Sequence, residues 1–128
     1  TRQIQYLKRV NPQAEILFVG PSDMVKRIDG QLQTYTYLPK MNEALKETVL
    51  KSGAAYGDLF HVMGGKNSMI EWVKHVPAWA GPDYIHFTEA GAYEISTILS
   101  NAFLMHYDFY NLRKGQNPVL IDKFMQLD

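Results

Sequence analysis

The sequence predicts an α/β fold with parallel strands, and two observations carry that expectation. Glu15-Ile16-Leu17-Phe18-Val19-Gly20 is a short apolar run closed by glycine, the pattern of a strand buried on both faces of a parallel sheet. Segments at helical spacing around it give the order helix–strand–helix–strand–helix–helix, which suits a sheet covered by helices. Two strands are too few for a complete sheet of this kind. The chain is therefore expected to be the C-terminal half of one larger domain with three α/β/α layers, ending in a tail from about residue 112.

Taken in order, Ile4, Leu7 and Val10 recur at about helical spacing from Arg2 to Val10, and Asn11-Pro12 ends that helix. After the first strand, Gly20-Pro21-Ser22-Asp23-Met24 reads as a turn at its C-terminal end, where open α/β sheets place ligands. Val25 to Leu38 has a mixed pattern and reads as a long surface connection. A helix from Pro39 to Lys51 is expected to bury Met41, Leu45, Thr48 and Val49, with Glu43–Lys46 and Glu47–Lys51 paired on its wet face. Ser52-Gly53 supplies its C-cap. Tyr56 to Val62 is read as the second strand, Met63-Gly64-Gly65-Lys66-Asn67 as a loop, and Ser68 to Val73 as a short helix. Thr88 can cap a last long helix, with a buried stripe of Gly91, Ile95, Ile98, Leu99, Ala102 and Phe103 and a pattern running to about Tyr110. Beyond Gly115 the tail carries one apolar run, Pro118 to Ile121.

Composition removes several function classes. Thirteen Lys+Arg balance thirteen Asp+Glu over 128 residues, with no dense basic run, which argues against nucleic-acid binding. There is no cysteine, so thiol catalysis, thiolate metal sites and disulfides are excluded. No apolar run approaches the roughly 18 residues of a membrane span. The N-terminus, beginning Thr1-Arg2-Gln3, has neither a start Met nor a signal-peptide core and reads as a processed or truncated end.

The stretch Asp83-Tyr84-Ile85-His86-Phe87-Thr88 carries the clearest chemistry. A carboxylate three positions before an imidazole, at a loop-to-helix junction, can hold one ring nitrogen and leave the other to accept a proton from a nucleophile. The same spacing also serves as a plain surface hydrogen bond at a helix start.

In chain order, the Gly20-Pro21-Ser22-Asp23-Met24 turn, Met63-Gly64-Gly65 with Ser68-Met69 and Trp72, and Asp83, His86-Phe87-Thr88 and Gly91 resemble the C-terminal half of SGNH (GDSL-like) hydrolases. Among these, the set is most similar to peptidoglycan O-acetylesterases and related carbohydrate esterases. The resemblance spans roughly residues 13 to 103. It implies a flavodoxin-like three-layer fold, with His86 as general base and Asp83 as its orienting partner. It also implies an acylated carbohydrate substrate, an exported or periplasmic location, and no metal or organic cofactor. In that family the nucleophilic serine and the oxyanion donors come from motifs nearer the start of the domain. This sequence contains no GDS and no G-x-N-D, so those groups are expected from the N-terminal half.

Ser22, Asp23, Met24, Gly64, Gly65 and Ser68 are candidates to line the substrate cleft. For the two serines the alternatives are a turn hydroxyl at Ser22 and a helix cap at Ser68, and neither sits in a G-x-S-x-G elbow. His61, expected in a strand, His75 and His106 do not reproduce a zinc spacing with His86. Trp72, Trp79 and Tyr84 read as a sugar-stacking wall or as core and loop anchors. The competing function is a non-catalytic carbohydrate-binding or interaction module with an esterase-like fold.

Overall fold

A computed structural model of the chain describes residues 2–114. Thr1 and the expected apolar run Pro118 to Ile121 lie outside the described residues. The chain forms two compact units, Thr1–Thr88 and Glu89–Asp128. The protein is mixed α/β, with a small parallel sheet and several helices.

Helix α1 spans Arg2–Val10, as expected, but only Ile4 of its apolar positions is buried; Leu7 and Val10 are exposed. Strand β1 is Leu17–Val19 and pairs in parallel with β4, Ala55–Gly57, in the register Leu17↔Ala55, Phe18↔Tyr56 and Val19↔Gly57. The expectation of a strand covered on both faces fails in this unit: Leu17, Phe18 and Val19 are 39%, 37% and 40% exposed. Among the described residues β1 also has a hydrogen-bonded neighbour on one edge only.

The segment expected as a surface connection is a β-hairpin. Strands β2 (Val25–Ile28) and β3 (Gln31–Thr34) pair antiparallel around Asp29-Gly30, with φ of 49° and 81° at these two residues. Positive φ at both loop positions matches the twist of the flanking strands, which is why Asp-Gly closes two-residue hairpins.

Helix α2 spans Leu38–Lys51 with Pro39 in its first turn. Its buried positions are Leu38, Asn42 and Val49, so the inner face is rotated from the expected one, and Met41 is exposed. At its end Gly53 N–H donates to Leu50 O at 3.0 Å and Ala54 N–H to Val49 O at 3.3 Å, a Schellman arrangement permitted by φ of 72° at Gly53. That turn returns the chain to pack Val49 and Ala54 with Ile4, against Ile16 and Tyr56.

The expected strand from Tyr56 to Val62 is split. β4 stops at Gly57, Asp58 caps a one-turn helix α3 (Leu59–Val62), and His61 is therefore helical. Helix α4 is Ser68–Lys74 and buries Ser68, Met69 and Trp72.

The second unit contributes α5, Glu89–Lys114, longer than the expected end near Tyr110. The distal part of its expected buried stripe is open: Phe103 is 59% exposed. No helix among the described residues is long and apolar enough to cross a membrane.

Candidate functional site

Residues 78–88 form a pinned hairpin-like loop. Gly81 N–H donates to His86 O at 2.8 Å, Thr88 N–H to Trp79 O at 3.1 Å, and Thr88 Oγ1 to Ala78 O at 2.6 Å. Ala80 and Phe87 form an antiparallel bridge between the two arms. Trp79 and Ala80 N–H both donate to Trp72 O, which ties the loop to the end of α4. At the tip Tyr84 takes φ of 59°, an uncommon conformation for a bulky side chain, and its carbonyl accepts Val25 N–H at 3.1 Å.

Within this loop Asp83 divides the work between its oxygens. Oδ1 accepts the backbone N–H groups of Ile85 (3.0 Å) and His86 (3.1 Å), an Asx turn that fixes the carboxylate. Oδ2 lies 2.6 Å from His86 Nδ1. The His86 hydrogen bond, reinforced by the two backbone donors, holds the Asp83 carboxyl at about 2, below its ordinary 3.8. An ionised Asp83 favours the proton on Nδ1 and leaves Nε2 with its lone pair, the tautomer a general base requires. No described residue hydrogen-bonds Nε2, and the His86 side chain is 81% exposed.

Within the first unit the turn at residues 20–24 with the start of β2, helix α4 and the His86 loop are hydrogen-bonded to one another, in part by residues with structural work to do. Asp23 is fully buried: Thr34 Oγ1 donates to its Oδ1 at 2.8 Å and Met69 N–H to its Oδ2 at 3.0 Å. Its carboxyl thus joins the β1 turn to the start of α4 rather than facing solvent. Thr34 in turn accepts Asn67 N–H at 2.7 Å and donates its own N–H to Asn67 Oδ1 at 2.9 Å. Ser22 is half-buried in the same turn. Met24 lines a separate hollow of about 230 Å³ with Tyr35, Leu38 and Met41. Gly65 is buried and turns the chain at φ of 75°, its N–H donating to Phe60 O at 2.9 Å. Gly64 and Ser68 line an open groove of about 500 Å³, walled by Trp72 and Trp79. Tyr84 is not among the groove's lining residues.

A second Asp-x-x-His pair escaped the sequence reading. Asp58, at the C-terminal end of β4, accepts His61 N–H on Oδ1 at 3.3 Å and faces His61 Nδ1 with Oδ2 at 2.9 Å. It also accepts Asn42 Nδ2 at 2.9 Å and Lys46 Nζ at 3.2 Å. Burial pushes the Asp58 carboxyl up, but the bonds from Asn42, His61 and Lys46 outweigh it and hold the group at about 2. Tyr56 Oη completes the set by donating to Asn42 Oδ1 at 2.7 Å. Potential ligand atoms of Glu43, Asp58 and His61 lie within 4.8 Å of one another. Lys46 already supplies positive charge to that carboxylate, so this cluster reads as a clamp between α2 and α3. The signal in the sequence was the repeated Asp-x-x-His spacing itself, hidden inside an apolar run.

No family model, no curated protein and no solved structure matches this chain.

Proposed function

We propose that this chain is the C-terminal part of an SGNH-type serine esterase domain that removes acyl groups, chiefly O-acetyl, from a cell-wall or other polysaccharide outside the cytoplasm. One observation carries the reading: Asp83 Oδ2 holds His86 Nδ1 at 2.6 Å while Nε2 meets no described partner. In the proposed mechanism His86 Nε2 takes the proton of a serine hydroxyl from the N-terminal half of the domain. The serine oxygen attacks the ester carbonyl, and His86 then returns the proton to the departing sugar hydroxyl. Water, deprotonated by the same nitrogen, attacks the acyl carbonyl; as the bond to serine breaks, His86 returns that proton to the serine oxygen and the free acid departs. Asp83 fixes the tautomer and stabilises the imidazolium throughout.

The exposure of the pair agrees with this division of labour. An imidazole that is 81% exposed gains little from a low-dielectric site, so the account needs a covering surface. Among the described residues β1 is paired on one side only, which leaves an edge where a further parallel strand can add. The start of β2, directly after the β1 turn, is bonded to the tip of the His86 loop through Val25 and Tyr84. In open α/β sheets the sites are built at the carboxyl ends of such parallel strands. A full three-layer arrangement belongs to this proposal.

The sequence upstream of Thr1 tests the reading. A GDS-type serine and a G-x-N-D block there support the esterase. Their absence favours the second reading, a carbohydrate-binding module without catalysis, which is consistent with His86 Nε2 meeting no hydroxyl among the described residues.

A further inference from the structure

An aspartyl–glycyl pair can react with itself when three things are free: the carboxyl, the next backbone N–H, and the space around the next Cα. Asp29-Gly30, the loop of the β2–β3 hairpin, meets all three conditions. Both residues are exposed, and neither the Asp29 carboxyl nor the Gly30 N–H has a hydrogen-bond partner among the described residues. Arg27 Nη1 donates to Gly30 O at 2.6 Å, on the far side of the glycine from its nitrogen. A Cβ built on Gly30 would meet nothing within 4 Å, so no neighbouring group shields the pair.

The other Asp and Asn side chains of the described residues each lack at least one of these conditions. Asp23 is fully buried with both oxygens bonded. Asp58 and Asp83 also accept bonds on both oxygens. Asn67 is engaged by Thr34, and the Ser68 N–H after it donates to Gly65 O at 3.1 Å. Asn11 precedes Pro12, which has no N–H. Those on α2 and α5 are followed by N–H groups inside a helix.

We propose that Asp29-Gly30 is a site of spontaneous covalent modification in the folded protein, converting Asp29 to isoaspartate through a cyclic imide. The Gly30 nitrogen forms a bond to Asp29 Cγ. Its proton and the carboxyl hydroxyl leave as one water molecule, and a five-membered succinimide results. Water then adds to one of the two ring carbonyls. Opening at Cγ restores aspartate. Opening at the original main-chain carbonyl breaks the old peptide bond, routes the chain through Cγ and leaves a free α-carboxylate. No oxidant, metal or enzyme is required. The ring closes on rotation about Asp29, a local motion available to an exposed loop with nothing packed on it.

The product has a defined structural consequence. Isoaspartate adds one carbon to the main chain of a two-residue loop whose two positive φ angles match the strand twist. The Ile28↔Gln31 pair beside the loop loses its register first. The Val25↔Thr34 pair at the far end is held by the Thr34 bonds to Asp23 and Asn67. The change therefore stops short of the Val25–Tyr84 bond to the His86 loop. This inference is independent of the esterase reading.

The test is to incubate the folded 128-residue chain for weeks at physiological temperature and near-neutral pH. Aliquots are then treated with an isoaspartyl O-methyltransferase and labelled S-adenosylmethionine, which esterifies the new α-carboxylate. Label is expected to accumulate with time and to map to the tryptic peptide of residues 28–40, with none in the peptide that begins at Asn67. Asp29→Glu, which would need a larger ring, should lose the label, and Asp29→Asn, which expels ammonia instead of water, should gain it faster. In the modified fraction, cross-strand NMR contacts should vanish between Ile28 and Gln31 and persist between Val25 and Thr34. The proposal is overturned if label in the wild-type chain does not exceed that in Asp29→Glu, or if it maps to another peptide. Label that appears only when the incubation is run in urea would also overturn it, because the folded turn would then protect the pair.

Discussion

Met69 and Asp23, 46 positions apart in the chain, are joined by a hydrogen bond of 3.0 Å from the Met69 N–H to a fully buried carboxyl oxygen. This bond holds the turn after β1 against the start of α4, and Thr34 locks it from the hairpin side. Asp23→Ala leaves a buried N–H unpaired and removes one partner of the Thr34 hydroxyl, at a cost of about 3 kcal/mol. Urea unfolding should show the midpoint falling by the corresponding amount at unchanged slope. Asp23→Asn, which keeps an acceptor, should cost less.

The clamp at Asp58 makes a contrasting pair of expectations. Asp58→Ala removes the α3 cap together with the Asn42 and Lys46 bonds, and should cost about 3 kcal/mol in the same assay. His61→Ala should cost less than about 1 kcal/mol, because its half of the pair is 53% exposed. The second variant should also leave any ester hydrolysis by the full-length protein unchanged.

Gly20 admits no side chain. A methyl group there would lie 2.6 Å from Tyr56 Cζ and 3.0 Å from Asn42 Oδ1, pushing the tyrosine off its hydrogen bond. Gly20→Ala should destabilise the fold by about 1–3 kcal/mol. Loss of the Tyr56–Asn42 bond would appear as a shifted Asn42 side-chain amide resonance.

Asp83 sets a pH dependence of definite sign. Its carboxyl is depressed in the folded protein to about 2, so its contribution to loop order is complete above the ordinary value of 3.8 and is lost as pH falls toward about 2. Side-chain carboxyl NMR should give an Asp83 midpoint near 2, and a midpoint at the ordinary value would show that the His86 bond is not formed. Asp83→Asn should lower kcat for ester hydrolysis by the full-length protein by about 10³–10⁴, with the Nδ1 proton no longer held in place.

What the sequence made legible follows from how locally each feature closes. Asp83 and His86 meet within one turn of chain, and α1, α2 and α4 declared themselves through apolar spacing and the Ser52-Gly53 cap. The β2–β3 hairpin was hidden because Val25-Lys26-Arg27-Ile28 and Gln31-Leu32-Gln33-Thr34 alternate poorly; its one sharp signal was Asp29-Gly30. Asp58 divided an apolar run that otherwise reads as a single strand. The inner face of α2 was misplaced because Asn42, a polar residue, is fully buried there through its bonds to Asp58 and Tyr56. Those partners lie 16 and 14 positions away, beyond the reach of any local pattern.

The most direct test of the central claim is steady-state hydrolysis of an acetylated glycan by the full-length protein carrying His86→Ala. The account predicts a fall in kcat/KM of at least about 10³, with the urea midpoint unchanged because the side chain is exposed. Full activity after that substitution would contradict it.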